Sequence, residues 1–437
     1  MVSGDTLYIP ATGSYANVQY QNLRADSANR IHIIWLPGSV VSSPAVFQQS
    51  YDFNVTGVVI EGMHHYNWFG TRKESYNMHH IDFVGCVWNN PKGSYKAQPG
   101  IQWDDQFAEV PMIFTGRKAQ TFYSNRYIDC RFDGFLNVNV IQLSSNWNNA
   151  NKEINRSICL DFVFLRDTFM NIANTPGTTV SAITGTGFNC RVEACFFKYT
   201  SGPGTGHAAH SQSILWYGTI DVLRSRQEDS YAALLRCIPR GWTGLPGYRD
   251  GAACRFYRNI IVRQLNYSAV EFGQNNAGNR DSLRGFYPCN AICVYNTVYS
   301  TVRVTHNNPG FYYGFVCDVV NQDSIECKYN AGVKLEYDYP YDLNRGYAVA
   351  MVSKAARRTA IANNKIIRQY SKAVFADTVH FVPGPMLKLE SPGETYPFMD
   401  KDYAGNPLPA NGPLYAGAME FSSRNAIKKP ATAKPKK

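Results

Sequence analysis

Two stretches of the chain, residues 199–215 and 225–256, carry its densest mixture of ionisable and aromatic side chains. The candidate acid–base and charge-neutralising residues in them are His210, Arg240, Tyr248, Arg249 and Asp250. The candidate platforms for a sugar ring, in or beside these stretches, are Trp216, Tyr217 and Trp242. Aromatic faces stack on sugars, and ionisable groups recognise acidic sugars or move protons, so this mixture predicts a glycan-binding groove.

Elimination chemistry on an acidic glycan needs a cation that neutralises the uronate carboxylate and a base that removes the proton next to it. Arg240 or Arg249 has the charge for the first role, and His210 or Tyr248 has the chemistry for the second. The spacing of these residues leaves both pairs of alternatives open.

Hydrolysis instead needs two carboxyl groups, about 5–5.5 Å apart for retention or about 6.5–9.5 Å apart for inversion. The candidate carboxyl groups are Asp104, Asp105, Glu228, Asp229 and Asp250. Neighbouring residues on a strand point to opposite faces, so Glu228 and Asp229 line one groove only if they lie in a loop.

Each of these residue types also has a purely structural interpretation. Trp216 and Trp242 are typical of packing residues beneath a loop, and an isolated Arg or Asp is typical of a solvated loop. His79 and His80 are adjacent, with no carboxylate at ligand spacing, so the sequence predicts no metal site and no cofactor.

Composition narrows the class of protein. The chain has 437 residues, of which 44% are hydrophobic, 17% charged and 14% aromatic, which excludes a disordered protein and a small disulfide-stapled scaffold. The net charge is +10, but the residues after Glu420 contribute six cations and no acid, which leaves +4 for the rest. The body therefore lacks the overall basic character of a nucleic-acid-binding protein.

A strand-like phrase recurs along the chain, while helical periodicity is almost absent. Apolar and polar residues alternate in each copy, and Gly, Asn or Ser follows. The copies are centred on Ile81, Ile128, Val192, Ile261, Cys293 and Ile366. Their irregular spacing is typical of coils with loops of variable length, which predicts an all-β fold, a single right-handed parallel β-helix. The alternatives are a β-sandwich and a propeller.

The two ends of this pattern resemble a known superfamily. Residues 4–10 read GDTLYIP, and the close contains Asp402, Gly405, Pro407 and then residues 417–420, GAME. These phrases are similar to the opening and ending of right-handed, pectate-lyase-like β-helix proteins of Bacteroidota and their phages. The resemblance covers residues 4–420 and implies the fold. Because the superfamily includes lyases, hydrolases, tailspikes and inactive members, and the Lys and Arg-His-Gly motifs of its alginate-lyase type are missing, it implies no particular activity.

The same pattern predicts four segments. Residues 1–35 form an N-terminal cap and first coil, and residues 36–390 form the stack, of 12–14 coils and about 60 Å in length at ~4.8 Å per coil. Residues 391–420 are a Pro- and Gly-rich closing segment that wraps the far end. Residues 421–437 are a Lys-rich tail, either solvated or in contact with an acidic partner.

These features favour a virion or surface structural protein, tailspike- or fibre-like, that attaches to or recognises a glycan. It would be assembled in the host cytoplasm, with a cell-surface polysaccharide, other virion proteins and copies of itself, as a trimer, for partners. The alternative is a secreted polysaccharide lyase or glycoside hydrolase acting on an acidic glycan. No run of about 18 apolar residues and no signal peptide is present, so no membrane insertion is expected.

The 11 cysteines are scattered singly among apolar residues and form no CxxC pair, so we expect none to be in a disulfide. Thiol titration of the denatured protein without reductant is therefore expected to find all 11 thiols. Several protected pairs would contradict this expectation and would favour the secreted alternative.

Overall fold

The structure is a computed structural model. It describes residues 1–12, 14–16, 18–42, 46–47, 55–66, 78–89, 101–103, 120–135, 140–143, 157–172, 181–185, 189–198, 213–216, 252–263, 269–272, 290–300, 317–319, 324–333, 350–352, 358–367 and 370–420.

Three long sheets form the body, and neighbouring strands within each of them run parallel. The main path of sheet one consists of Thr6–Ile9, Ile31–Trp35, Val55–Glu61, Met78–Val84, Arg126–Ile128, Val163–Leu165, Cys190–Glu193, Ala252–Tyr257, Asn290–Val294, Ser324–Lys328 and Arg358–Ala362. Sheet two consists of Ser14–Tyr15, Val40–Val41, His64–Tyr66, Val87–Asn89, Arg131–Asp133, Thr168–Met170, Phe196–Lys198, Ile260–Arg263, Thr297–Ser300, Ala331–Val333 and Lys365–Ile367. Sheet three consists of Ile101–Trp103, Ile141–Leu143, Ile183–Gly185, Ile214–Trp216, Val270–Phe272, Cys317–Val319 and Ala350–Val352.

Shorter elements complete the described fold. Two further strands belong to sheet one, Gln120–Tyr123 and Ser157–Leu160. They pair with each other in parallel, and Tyr123 pairs with His79 of the main path. Gln19–Tyr20 pairs with Val46–Phe47 in parallel. Phe375–Asp377 pairs with Val382–Pro383 in the antiparallel sense, and a 3-10 turn follows at Pro385–Leu387.

The order of strands along the chain defines a parallel β-helix. A strand of sheet one is followed by one of sheet two and then by one of sheet three, and the next sheet-one strand pairs with the first. Cys190–Glu193, Phe196–Lys198, Ile214–Trp216 and Ala252–Tyr257 show one such coil and its return. The predicted all-β solenoid is confirmed. Sheet two has 11 strands, so the described coils number fewer than the 12–14 predicted and span about 50 Å at ~4.8 Å per coil.

The repeated phrase lies in the stack, as predicted. The residues at its centre that are fully buried are Ile81, Val192, Ile261 and Cys293. Ile366 packs, partly buried, against the same core. The prediction was wrong for Ile128, because in the three-residue strand Arg126–Ile128 the buried residue is Tyr127.

Tyr127 occupies the inward position because it is in register with two other aromatic residues. Its ring stacks between Phe83 and Phe164, with centroids 5.0 and 5.3 Å away. A second column, on sheet two, stacks Trp88, Phe132, Phe169 and Phe197 at 4.6–4.9 Å. Coil spacing brings equivalent inward positions to stacking distance, and this favours aromatic residues at these positions.

The corner between sheets one and two repeats the same two-residue turn. Its first residue has a positive φ in nine described coils: Gly62, Gly85, Asp129, Arg166, Ala194, Arg258, Tyr295, Tyr329 and Asn363. The second residue points inward and forms a column, which we call the corner column: Met63, Cys86, Cys130, Asp167, Cys195, Asn259, Asn296, Asn330 and Asn364. The left-handed first residue turns the chain sharply. The second residue then lies next to its equivalents in the adjacent coils.

The upper half of the corner column is an asparagine ladder. The Asn259 backbone N–H and side-chain amide both donate to Asn296 Oδ1 at 3.0 Å, and Asn296 bonds to Asn330 in the same way at 2.9 and 3.0 Å. The Asn259 amide also donates to the carbonyl oxygen of Val192, one coil earlier, at 3.0 Å. Each buried amide is therefore satisfied, which is the condition for burying such a group cheaply.

Cysteines occupy the lower half of the corner column and other inward positions. The seven cysteines with described side chains are buried thiols: Cys86, Cys130, Cys190, Cys195, Cys254, Cys293 and Cys327. None of these seven is in a disulfide in the structure. Cys159 and Cys317 lie on strands whose side chains are outside the described part, as are Cys237 and Cys289 altogether.

Residues 371–420, which we call the strap, lie along the side of the β-helix. The sequence predicts that the Pro- and Gly-rich segment wraps the far end, whereas the described contacts of the strap run down the outward face of the upper coils. Val374, Phe375, Leu387, Ala418 and Met419 pack on outward residues of sheet two. These outward residues include Ile260, Val262, Ala331, Val333 and Ile367.

One buried cation holds the strap to the corner. Arg258 is 1% exposed, and it donates to the carbonyl oxygens of Gly417 (3.1 Å) and Ala418 (3.3 Å) and to Glu420 Oε1 at 3.4 Å. Its guanidinium also lies 4.5 Å from the centroid of the Tyr295 ring. Burial lowers the pKa of Arg258 and raises that of Glu420, and their mutual attraction offsets this cost.

At the other end of the stack, residues 1–35 supply strands of the first two coils. Thr6–Ile9 is the edge strand of sheet one in the described residues, and it pairs with Ile31–Trp35. The inward-facing Leu7 is 42% exposed there, against 3% for Ile33, its partner in register. In the described part of the chain, no helix is long and apolar enough to cross a membrane.

The first prediction from the fold concerns Asp167, the acid in the corner column. Its Oδ1 accepts the Cys130 N–H at 2.8 Å, but its fully buried Oδ2 has no partner among the described residues. Burial raises the pKa of Asp167 well above its usual range. In the asparagine ladder, the side-chain amide nitrogen of Asn259 donates to a carbonyl oxygen one coil earlier, that of Val192. The Oδ2 atom of Asp167 corresponds to that amide nitrogen, and the corresponding carbonyl oxygen is that of Tyr127. An amide fits this position better than an ionised acid.

We therefore expect Asp167→Asn to stabilise the protein by about 1–3 kcal/mol at neutral pH. The pKa of Asp167 is higher in the folded protein than in the unfolded chain, so the protonated acid stabilises the fold. This stabilisation is complete below the pKa of the unfolded chain and is lost as the pH rises through the pKa of the folded protein. The gain from the amide should grow from acid to neutral pH in chemical denaturation. Asp129→Asn, at an exposed ion pair, is the control, with about 0–1 kcal/mol expected. A destabilised Asp167→Asn at every pH would contradict the assignment.

The second prediction concerns the strap. Arg258→Ala leaves the Glu420 carboxylate buried and unpaired, and we expect a loss of about 3–5 kcal/mol, with early proteolysis of the strap. Arg166→Ala is a matched control, because Arg166 occupies the same corner position with φ 55° but is 47% exposed in its pair with Asp129. There we expect a loss of about 0–1 kcal/mol. Equal losses in denaturation midpoints would show that Arg258 does not anchor the strap.

Candidate functional site

Most of the predicted site residues lie outside the described part of the chain. These are His210, Tyr217, Arg240, Trp242, Tyr248, Arg249 and Asp250. Trp216 is described: it ends the sheet-three strand Ile214–Trp216, is 1% exposed and belongs to the core. In that position it has the packing role that the sequence offered as its alternative to a sugar platform.

The strands that flank the two stretches with most of the predicted site residues show where these stretches leave the β-helix. Residues 199–212 join sheet two to sheet three, and residues 217–251 join sheet three to the sheet-one strand Ala252–Tyr257. Residues 252–256, which the sequence assigned to the second loop, are part of that strand. The two stretches therefore begin at different corners, and the second one ends at the border of sheet one.

A polar surface occupies this border in the described coils. Sheet one bends at a left-handed residue, and in the lower coils this position is held in turn by Gly57, His80, Ser124, Asp161 and Asn189. Small polar residues and histidine tolerate positive φ better than branched or bulky ones, which explains this choice of side chains. The bend turns their side chains outward beside the strand residues that follow.

The centre of the surface is a buried carboxylate held by two arginines. Arg30 donates to Asp82 at 2.5 Å, to the carbonyl oxygen of Val58 at 3.0 Å and to that of His80. Arg126 donates from Nε to Asp82 Oδ1 at 2.8 Å and from its terminal nitrogen to Oδ2. Bidentate pairing satisfies the carboxylate, and two cations on one anion leave one net positive charge.

Three rings pack beside this carboxylate. His79 stacks on Tyr123, with ring centroids 4.3 Å apart and an interplanar angle of 13°, and His80 meets the edge of the same tyrosine at 5.4 Å. Thr56 Oγ1 lies 2.8 Å from His79 Nδ1. Burial lowers the pKa of His79 to about 4 and lowers that of His80, and it raises the pKa of Tyr123. Both imidazoles are therefore neutral at pH 7, as a general base must be.

A second carboxylate lies one position along the bend. Asp161 accepts hydrogen bonds from Ser124 Oγ at 3.0 Å and from the Asn189 amide at 3.4 Å. Asn189 in turn accepts from Arg255 at 2.5 Å. Burial raises the pKa of Asp161, while its hydrogen bond from Ser124 and the nearby Arg191 oppose that shift. The acid is thus suited to hold or release a proton at higher pH than an ordinary aspartate.

Arginines continue upward from this centre along one outward column of sheet one. In-register pairing places Arg126, Val163, Arg191 and Arg255 in successive coils. We call Arg126, Arg191 and Arg255 the arginine row. The coil rise separates the first two by about 10 Å and the last two by about 5 Å. The side chains of Arg126 and Arg191 are 43% and 36% exposed.

Arg191 is only weakly compensated by the anions of the described residues. Its ion-pair partner is Glu193, with 3.9 Å between Nη1 and Oε2. The same carboxylate oxygen accepts a hydrogen bond from the Tyr257 hydroxyl at 2.7 Å. The buried Nε of Arg191 has no acceptor among the described residues. The side chain as a whole is 36% exposed, which leaves its charge accessible to an anion.

No metal site emerges from the described side chains, since no three of their His, Cys, Asp and Glu residues form a cluster that could hold an ion. From the sequence, His79 and His80 are an adjacent pair that lacks the companion ligands of a metal site. The signal in the sequence is positional: both residues precede Ile81 in a repeated phrase, at the point where Tyr123 and Ser124 stand in the next copy.

Comparisons with known proteins give one match. No family model matches the chain, and no curated protein matches it. Among solved structures, the chain is similar to a PL6 family polysaccharide lyase from Pseudopedobacter saltans, with 12% sequence identity and a TM-score of 0.32. The alignment covers 91% of this chain and 94% of that one.

Proposed function

We propose that the protein recognises an acidic polysaccharide, which lies along the outward face of sheet one. The observation that carries this proposal is the arginine row, in which Arg126, Arg191 and Arg255 are aligned with the β-helix axis at multiples of the coil rise. A polymer with regularly spaced carboxylates or sulfates presents anions to such a row repeatedly. A compact ligand reaches at most the two neighbours Arg191 and Arg255, which are one coil apart.

The lower end of the row adds groups suited to a sugar ring. Tyr123 and His79 form a half-buried stack beside Arg126, and half-exposed aromatic faces stack on the apolar faces of pyranose rings. Ser124 and Asn189 provide neutral hydrogen-bonding groups next to them. Charge recognition and ring stacking thus lie within neighbouring coils.

Glycan recognition is common to the two biological settings that the sequence favours. We propose the virion or surface protein, with other virion proteins and further copies of the chain as partners, ahead of the secreted enzyme. The Lys-rich residues 421–437 are proposed to contact an acidic partner. Residues 199–212 and 217–251 remain a second proposed location for the groove, and the second segment ends beside the arginine row.

The test compares matched arginine variants for binding to a polyuronate and to neutral dextran. We expect Arg191→Gln to weaken polyuronate binding about tenfold or more, because it removes a charged hydrogen-bond donor, and we expect the binding to weaken with salt. Arg131→Gln, on the outward face of sheet two and 52% exposed, is the control and should bind normally.

The double variant Arg240→Ala with Arg249→Ala tests the other location. If it abolishes binding while Arg191→Gln binds as the parent does, the site lies in residues 217–251 and the arginine row is not its centre. If neither polyuronate nor sulfated polymer binds the parent protein, the glycan proposal fails.

A specific observation supports elimination chemistry as a second candidate. Burial keeps His79 and His80 neutral next to Tyr123 and to the cations that would neutralise a uronate. In that reaction the base takes the proton on the carbon next to the carboxylate. The electron pair forms a C=C bond, the glycosidic C–O bond breaks, and the leaving oxygen gains a proton.

Elimination produces an unsaturated sugar that absorbs in the ultraviolet, so incubation with a panel of acidic polysaccharides tests it directly. We expect Tyr123→Phe to keep the ring stack and the binding but to lose turnover if the hydroxyl moves a proton. Binding with no absorbance change in the parent protein would leave recognition as the function and remove the lyase candidate.

A further inference from the structure

Two imidazole nitrogens meet in the polar surface. His79 Nδ1 and His80 Nδ1 are 2.8 Å apart, and Thr56 Oγ1 lies 2.8 Å from the same His79 atom. A contact this short between two ring nitrogens requires that one carries a proton and the other presents its lone pair. The two rings therefore share a single proton at this point.

This arrangement determines how many further protons the pair accepts. In the neutral pair, the ring that donates through Nδ1 has a free lone pair on its Nε2. A proton added there gives a cationic ring whose Nδ1–H still donates to its neighbour, now as a charge-assisted hydrogen bond. A second added proton would place two N–H groups against each other. The pair therefore accepts one proton without rearrangement and resists a second.

The charged groups around the pair come from every neighbouring strand. Arg30 donates to the His80 carbonyl, and Asp82 and Arg126 follow on the outward face. Tyr123 stacks on His79, and Asp161 lies close enough to His80 to favour its cation. Desolvation and the two arginines oppose that cation, so the free site has an uncharged pair at neutral pH.

We propose that the His79–His80 pair takes up one proton when an anionic sugar binds at the lower end of the arginine row, so that affinity rises as the pH falls. This inference rests on the proposed function, since it describes the regulation of that same site. An anion beside the rings stabilises the imidazolium, and by linkage the imidazolium strengthens anion binding by the same factor. The limit for one linked proton is a tenfold gain in affinity per pH unit.

The sign follows from the two states of the pair. In the free protein burial lowers both pKa values, so the pair is uncharged above mildly acidic pH. In the complex the anion raises the pKa of the protonated ring. Affinity therefore increases as the pH falls from the bound-state pKa to the free-state pKa, and it is constant outside that window.

The experiment measures binding of dextran sulfate between about pH 5 and pH 8, where the charge of this polymer does not change and histidine normally titrates. Neutral dextran is the control ligand. For the parent protein we expect affinity to fall as the pH rises, by up to tenfold per unit. Calorimetry in two buffers of different ionisation enthalpy should show the uptake of up to one proton on binding. Binding that is independent of pH, with no proton uptake, would overturn the inference and leave the glycan proposal standing.

Matched asparagine substitutions assign the proton. His80→Asn removes a titrating ring at φ 52°, a conformation that asparagine tolerates, and we expect its affinities at pH 5 and pH 8 to become equal, whatever their absolute level. If His80→Asn folds poorly, the same ratio is measured for His79→Gln. His64→Asn, a half-buried histidine on sheet two, should keep the pH dependence of the parent.

Asp161→Asn separates the other candidate proton acceptor, because burial raises the pKa of Asp161 and its φ is 53°. The inference predicts that this variant keeps the pH dependence. If Asp161→Asn loses it and His80→Asn keeps it, the proton belongs to the aspartate and the inference is wrong. If no charged polymer binds at any pH, the proposed function fails and this inference falls with it.

Discussion

In-register pairing of parallel coils is the constraint on which the rest of this structure depends. Each strand hydrogen-bonds to its equivalent about 4.8 Å above and below, so whatever stands at one position meets the same position of its neighbours. Apolar side chains then stack into columns, as Phe83, Tyr127 and Phe164 do. Polar side chains stack as well, and inside the helix they must satisfy one another, because water does not reach them.

The corner column contains inward polar side chains that satisfy one another and one that is not fully satisfied. From Asn259 to Asn364, each amide donates and accepts in the same direction, so the ladder has no unsatisfied member among the side chains described. Asp167 occupies an equivalent position with a side chain that has no amide hydrogen to donate, and its Oδ2 has no hydrogen-bond partner among the described residues. The same geometry thus stabilises one residue type and penalises another of almost equal shape. Stacking amplifies small chemical differences at inward positions.

Sequence periodicity was sufficient to predict the architecture because the pairing constraint acts on every coil. Alternation around Ile81, Val192 and Ile261 reports an inward face directly. It failed at Ile128, since a three-residue strand between two corners contains too little alternation to distinguish Tyr127 from its neighbour. The predicted number of coils, 12–14, is also higher than the 11 that the described strands of sheet two form.

The candidate site was harder to predict for a physical reason. Its members come from segments far apart in the chain, such as Arg30, Asp82 and Arg126, and only the coil register makes them neighbours. Dense local mixtures of functional groups are easy to find in a sequence, but in a β-helix they lie in the loops. A cluster on a sheet surface is spread over one residue per coil. It becomes visible only when the copies of the repeat are aligned with each other.

Arg255 connects the polar surface to the strap and explains why the arginine row ends where it does. The guanidinium donates to Asn189 on one side and lies 5.4 Å from the Phe398 ring centroid on the other. In the next coil the corresponding outward position of sheet one is held by Ile292, which packs in the strap interface. In the coil after that it is held by Glu326, which accepts a hydrogen bond from Tyr396 of the strap. The strap thus covers this face of the upper coils, and the arginine row ends at Arg255. A ligand extending along the row would meet Phe398 and its neighbour Tyr257 at its upper end. The element that secures the fold through Arg258 therefore also sets one boundary of the proposed binding surface.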